Sequence, residues 1–82
     1  MDLRTLLEQR GLSQEAAALI GEVDPSTIYR IVEGQVRARA ATIVRLARGL
    51  GIGARRMQAM CDAHYFAVHP DEALISRSAV SA

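Results

Sequence analysis

The chain has 82 residues, enough for one small domain rather than two. Half of the residues are hydrophobic, which favours a folded chain over a disordered one, and only three are aromatic, so the core must be aliphatic. A single cysteine excludes an internal disulfide. Because no apolar run approaches the roughly 20 residues that cross a bilayer, and the first residues do not resemble a signal peptide, we expect a cytoplasmic protein with no membrane contact.

The charges are unevenly distributed along the chain, although the net charge is only +1. Residues 30–56 carry seven Arg and one Glu, a net charge of +6, while the segments on either side are acidic. All ten basic residues are Arg, which genome composition explains as well as selection for phosphate and guanine contacts does. A concentrated basic segment is typical of a protein that binds a polyanion.

Local signals predict a mostly helical chain that opens with two short helices. Asp2 and Ser13 are good N-caps for helices over 3–9 and about 14–20. Gly21 is predicted to end the second helix, because glycine supplies a flexible stop.

The third helix has a strong start signal. Asp24 is an N-cap residue, and Pro25 follows at the first helical position, where its fixed φ and missing N–H are tolerated. This helix is predicted to run to about Glu33 and to stop at Gly34, before an Arg-rich loop over 35–39. The second and third helices therefore form a pair joined by a tight turn.

The remaining segments predict two more helices and a tail. Apolar residues at helical spacing indicate a fourth helix over 40–50 and a fifth over about 54–65. Residues 65–68 either continue that helix or form a short strand, and residues 70–77 suit a short helix. The sequence thus predicts an all-α protein, a compact bundle of about five short helices with a C-terminal extension that is a short helix or a strand.

Small and apolar residues lie where the second and third helices must cross. Ala18 offers only a methyl group and permits close approach of the two helices. The residues predicted to fill the core beneath it are Val23, Ile28 and Ile31. The outward side of the third helix is instead polar, with Ser26, Thr27, Tyr29, Arg30 and Glu33. A helix presented in this way fits the major groove of DNA, which is wide enough to admit it.

Three segments of the chain resemble the phage lambda repressor and Cro-like helix-turn-helix proteins, the xenobiotic-response-element type. They are LSQEAAALI, VDPSTIYRI and ATIVRLARGLGI, and the match runs without gaps from about Leu3 to Ile52. The resemblance implies a helical bundle that binds double-stranded DNA operators, usually as a homodimer. We accordingly expect a helix-turn-helix DNA-binding core over 1–53, and a C-terminal helix and tail over 54–82 that supply a dimerisation or partner surface within the same single domain.

The resemblance also implies roles for individual residues. Its exposed reading positions fall on the start of the third helix, where we predict Ser26, Thr27, Tyr29 and Arg30 to read bases. A partly buried tyrosine is the alternative for Tyr29. The residues predicted to contact DNA phosphates are Gln14, at the family's phosphate-contacting glutamine, together with Pro25, Arg37 and Arg39. The alternative for the last two is a solvated loop.

The chain departs from the family pattern in the turn, near the end of the reading helix and at the start of the fourth helix. The turn glycine of the family is replaced by Glu22, and a common glutamate near the end of the reading helix is replaced by Val32. The usual Pro-Ser start of the fourth helix is Ala38-Arg39, so that helix lacks a good cap. These departures make the turn geometry and the start of the fourth helix less regular than in the family pattern.

Neither a metal site nor a catalytic site is indicated by the sequence. The spacing of Cys61, His64 and His69 includes the Cys-x-x-His found at zinc sites, but one thiolate and two imidazoles without a second pair are a weak signal. No Gly-rich phosphate loop and no Ser-His-Asp set occurs in the sequence. We therefore predict no metal, no cofactor, no small-molecule ligand and no enzymatic activity.

The segment after Ile52 is predicted to form the surface for a second copy of the chain. Its apolar residues are Met57, Met60, Cys61, Tyr65, Phe66, Val68, Leu74 and Ile75. The alternatives are a strand pair between subunits over residues 65–68, or a monomer whose tail folds back. The predicted function is a sequence-specific transcriptional regulator, most simply a small phage-like repressor. A DNA-binding antitoxin and a protein-interaction module that does not bind DNA are the other two interpretations.

Overall fold

The computed structural model describes residues 1–72, which form helices and connecting loops. The helices are α1 (Leu3–Gln9), α2 (Gln14–Gly21), α3 (Pro25–Val32), α4 (Ala40–Leu50) and α5 (Ala54–Val68). Helix α2 packs against α3 and α4, while α5 closes the bundle by packing on α4, α3 and α1. The all-α prediction is therefore confirmed, and no helix within residues 1–72 is long and apolar enough to cross a membrane.

The first three helices begin at side-chain caps, as predicted. Asp2, Ser13 and Asp24 each accept a hydrogen bond from a backbone N–H of the following turn, at 2.9 to 3.0 Å. Such caps satisfy donors that have no partner within the helix. Helices α4 and α5 start differently, because Arg39 and Gly53 precede them without a side-chain cap bond.

The core is aliphatic and receives residues from all five of these helices. Its largest fully buried side chains are Leu3, Ile28, Ile31, Leu46, Met57 and Cys61. Val32, at the position where the family commonly has a glutamate, is also buried in this core, so no charge needs a partner there. Arg10 donates a hydrogen bond to the carbonyl of Leu50 at the C-terminal end of α4, where a cation is favoured.

The turn between α2 and α3 differs from the prediction. Gly21 is the last residue of α2 rather than its stop, and the left-handed residue that ends the helix is Glu22, with φ 56°. A Cβ at Gly21 would lie 2.8 Å from Cδ2 of the buried Leu46, so a larger residue there would force the Leu46 side chain of α4 to shift. The turn is consequently made by a residue type that rarely adopts this conformation.

Two expectations for the C-terminal region are wrong. Met57, Met60 and Cys61 are buried in the core of this same chain, so they are not available to a partner. The alternative of a strand over 65–68 is also wrong, because α5 continues to Val68.

A further short helical segment follows α5. Residues 70–72 are helical, and the hydroxyl of Tyr65 donates a hydrogen bond to Glu72. The rest of the predicted helix over 70–77, with Leu74 and Ile75, lies outside the described residues. Of the predicted partner surface, the described residues that are not buried are Tyr65, Phe66 and Val68.

Candidate nucleic-acid interface

A groove of about 560 Å³ runs between the outward side of α3 and the loop that leads to α4. Its lining residues are Thr27, Arg30, Ile31, Val36, Arg37, Ala38, Arg39 and Thr42. Three of the eight are arginines and two are threonines, while none is an aspartate or a glutamate. The groove therefore combines positive charge with hydroxyl groups, a composition that suits an anionic ligand with hydrogen-bonding edges.

Four of the predicted DNA contacts meet in this groove. Thr27 and Arg30 come from α3, and Arg37 and Arg39 come from the loop that follows it. Arg30 lies one turn beyond Thr27 on the exposed side of the helix. Two arginines that were predicted to contact phosphate thus lie beside two residues that were predicted to read bases.

The start of α3 is fixed by Asp24. Its carboxylate accepts bonds from the backbone N–H of Ser26 at 3.0 Å and from the Ser26 hydroxyl at 2.9 Å. These two bonds hold the pKa of Asp24 below its usual value of 3.8. Ser26 is exposed, but its hydroxyl proton is already used within the helix start, so the oxygen lone pairs remain for a ligand.

The other predicted contacts lie outside the groove. Tyr29 is 51% exposed on α3, which leaves its side chain open to a ligand and also fits the alternative of a partly buried tyrosine. Pro25 lies in a separate apolar cleft beside Leu19 and Val23. Gln14, the first residue of α2, lines a third cleft between α1 and α2.

Arg37 is not simply solvated, as the alternative for the loop suggested. Its Nη2 lies 3.1 Å from Oδ2 of Asp62, and its guanidinium carbon lies 4.8 Å from the centre of the Phe66 ring. The Arg37 side chain nevertheless remains 46% exposed, because these contacts occupy one edge and one face of the group. Arg39 makes no ion pair with any of the described residues.

No role at this groove is predicted from the sequence for Asp62, Thr42 or Phe66, and Phe66 is expected there only in the partner surface. Asp62 is separated from Arg37 by 25 positions, and no local pattern connects residues so far apart on different elements. Thr42 lies in the first turn of α4, where helical spacing marks it only as a half-buried position. Only the packing of α4 and α5 against the loop brings Thr42 into the groove and Asp62 and Phe66 to the side chain of Arg37.

The residues considered for a metal site are used in other ways. Cys61 is buried in the core, and this burial raises the pKa of its thiol to about 12, with a smaller contribution from Asp62. Nε2 of His69 lies 3.2 Å from the carbonyl oxygen of Gly34. Within residues 1–72 no group of three or more His, Cys, Asp and Glu side chains is arranged to hold a metal ion.

The comparisons with known proteins concern the same elements. A family model described as Helix-turn-helix matches residues 3–56, which include α1 to α4 and the start of α5. No curated protein and no solved structure matches the chain. The family match covers more than half of the sequence and contains the groove and the helix pair in full. The chain therefore belongs to the lambda repressor and Cro-like helix-turn-helix family, whose members are DNA-binding transcription regulators.

Proposed function

We propose that this protein is a non-enzymatic, sequence-specific transcriptional repressor that occupies a double-stranded operator in the manner of small phage repressors. Helix α3 enters the major groove, where Ser26, Thr27, Tyr29 and Arg30 read base edges. The phosphate contacts come from Gln14, Pro25, Arg37 and Arg39. Because it acts by blocking polymerase at its operator, the repressor needs no cofactor and no small-molecule ligand, and it works in the cytoplasm.

The observation that carries the proposal is the groove between α3 and α4. Its three arginines have no acidic neighbour among the lining residues, and Arg30 lies exposed on the helix that is presented outward. A guanidinium group in this position reaches the O6 and N7 acceptors of guanine in the major groove. Glu33, the acidic residue that follows the last residue of α3, is already engaged, since it pairs with Arg4 at 2.8 Å.

We also propose that the repressor binds as a homodimer. A two-fold dimer places two copies of α3 about 34 Å apart, which is one turn of B-DNA, and so doubles the contacts. The exposed end of α5 offers apolar surface for such a contact, with Val68 exposed and Tyr65 and Phe66 half-buried.

The test begins with selection of bound sequences from random duplexes. The selected duplex is expected to contain two related half-sites, and the mass of the complex is expected to correspond to two protein chains per duplex. The logarithm of the affinity should then fall linearly with the logarithm of salt concentration, by about 0.9 for each phosphate that is neutralised. A mass of one chain per duplex would contradict the dimer and leave DNA binding intact.

The Arg30→Ala variant tests the reading helix on the selected duplex. We expect a loss of about 1–3 kcal/mol in binding and relaxed selectivity at one base position. Arg45→Ala is the matched control, because it removes the same charge from α4 outside the groove. Equal losses in both variants would show that charge alone drives binding, which would contradict sequence-specific reading.

The other interpretations predict different results from the same experiments. A protein-interaction module would retain its partner in the Arg30→Ala variant and would show no salt-dependent duplex binding. An antitoxin would bind DNA and also co-purify with a toxin from its host.

A further inference from the structure

The C-terminal half of α5 contacts the segment that follows the reading helix at two points. At the first point, Gly34 has φ 74° and a Cβ there would lie 2.7 Å from Cδ2 of His64. His69 also lies within hydrogen-bond distance of the Gly34 carbonyl. The end of α3 is therefore packed directly on α5, with no room for a side chain between them.

The second point is Arg37, three residues further along the loop. Asp62 and Phe66 are four residues apart on α5 and so lie on one side of that helix. Asp62 accepts a hydrogen bond from Nη2 of Arg37 at 3.1 Å, and Phe66 presents its ring to the guanidinium group at 4.8 Å. These are two independent restraints on a side chain that would otherwise be free to rotate.

The restraints leave the rest of the Arg37 guanidinium available. Arginine has five N–H donors in a planar fork, and the bond to Asp62 uses only Nη2. The side chain lines the groove with Arg30 and Arg39 and is 46% exposed. A fixed guanidinium group with free donors is prepared to bind an anion at little further entropic cost.

We propose that Asp62 and Phe66 are positioning residues that hold Arg37 ready for a phosphate of the DNA backbone. This inference rests on the proposed function and assigns to α5 a part in DNA binding that does not depend on dimerisation. It also explains why a carboxylate lies so close to an otherwise basic groove. The carboxylate faces the edge of Arg37 that points to α5. It therefore orients the guanidinium group and does not compete with a DNA phosphate for it.

A purely structural role for Asp62 is weak. Its side chain is only 14% exposed, and its Oδ1 has no hydrogen-bond partner among the described residues. A buried oxygen without a partner costs free energy, which offsets what the ion pair contributes. Replacing Asp62 should therefore leave the fold intact, so an effect on DNA binding can be measured on a folded protein.

The central experiment compares Asp62→Asn with Glu33→Gln on the selected duplex. Both variants remove one negative charge and break one ion pair, at 3.1 Å and 2.8 Å, but only the first pair involves Arg37. We expect Asp62→Asn to bind about fivefold more weakly than the control, because a neutral amide holds the guanidinium group less firmly and Arg37 must then be ordered on binding. Phe66→Leu keeps an apolar side chain at that position but removes the ring that faces Arg37. It should therefore also weaken DNA binding.

Two further measurements separate positioning from contact. The slope of log affinity against log salt concentration should be the same in Asp62→Asn as in the wild type. In Arg37→Ala, which removes the phosphate contact itself, the magnitude of this slope should fall by about 0.9. In the Arg37→Ala background, Asp62→Asn should have no further effect. Without DNA, the NMR order parameter of the Arg37 Nε–Hε bond should fall in Asp62→Asn and stay unchanged in Glu33→Gln.

The inference is overturned by tighter binding of Asp62→Asn than of Glu33→Gln, because the carboxylate would then compete with phosphate. It is equally overturned if the Asp62→Asn effect persists in the Arg37→Ala background, or if the variant binds as the control does. Wild-type protein that binds no duplex in a salt-dependent way would overturn the proposed function, and this inference with it. Normal wild-type binding with an unaffected Asp62→Asn variant overturns only the role of α5.

Discussion

Helices α1 to α3 and helices α4 and α5 are held in place by different means. The first three each begin at a side-chain cap that lies within two or three residues of the donor it satisfies. The last two begin without such a cap, and their positions follow from contacts with distant parts of the chain. One contact of this kind is the approach of Gly49 in α4 to the backbone of Ile20 in α2. The difference shows that the reading helix is specified locally, whereas the loop and helices that complete the groove are specified by packing.

The largest expected effect is at the crossing of α2 and α4. A Cβ at Gly49 would lie 2.6 Å from the carbonyl oxygen of Ile20, so Gly49→Ala forces the two backbones apart. We expect a loss of about 1–3 kcal/mol in the free energy of unfolding from this overpacking. The loss should appear even though alanine is the better helix former by about 1 kcal/mol. Urea denaturation of both proteins provides the measurement.

Gly53→Ala is the matched control for that prediction. A Cβ at Gly53 meets nothing within 4 Å, and its φ of −62° suits any residue. Its effect should be about 0.5 kcal/mol or less, since only the preference for glycine over alanine at an N-cap is lost. Greater stability in Gly49→Ala would show that α4 is not fixed by this close approach.

A smaller effect tests the difference in helix starts directly. Ser13→Ala removes the cap of α2 and should lower the free energy of unfolding by about 1 kcal/mol. Arg39→Ala changes the residue before α4, where no side-chain cap exists, and should leave the free energy of unfolding unchanged. The same variant should reduce the slope of log affinity against log salt concentration by about 0.9, if Arg39 contacts a DNA phosphate. Equal losses of stability in the two variants would contradict the view that α2 starts at a local cap whereas α4 starts without one.

The smallest expected effect concerns the turn between α2 and α3. Glu22 adopts a left-handed conformation that costs a residue with a side chain about 1 kcal/mol or more, whereas glycine adopts it freely. Glu22→Gly should therefore raise the free energy of unfolding by up to about 1 kcal/mol. Glu15→Gly is the matched control. It makes the same substitution within the first turn of α2, where glycine should lower the free energy of unfolding. A loss of stability in both variants would mean that Glu22 makes a favourable contact that outweighs its strain.

The features that could be predicted from the sequence are those that depend on near neighbours along the chain. Asp24 followed by Pro25 marks the start of the reading helix because both act on donors one to three residues away. The spacing of Ile28 and Ile31 marks the buried side of that helix for the same reason. The outward positions of Ser26, Tyr29 and Arg30, which the structure leaves exposed, follow from this assignment.

The features that could not be predicted join residues that are distant in sequence. Apolar spacing in α5 did not reveal whether Met57 and Met60 face the core or a partner, because both environments bury the same surface. The close approach at Gly21 involves Leu46 in another helix, and not the turn itself. The pairing of Arg37 with Asp62 likewise spans 25 positions.

The order of the amino acids alone is enough to predict the helical class, the capped starts of the first three helices, and the outward face of α3. These properties follow from hydrogen bonds and side-chain spacing within one or two turns, which any short stretch of chain already contains. The packing of the helices, in contrast, determines which arginines share one groove and which side chains of α5 restrain Arg37. That outcome depends on how closely α4 and α5 approach α2 and α3, and this distance is set by packing at Gly34, Gly49 and Leu46.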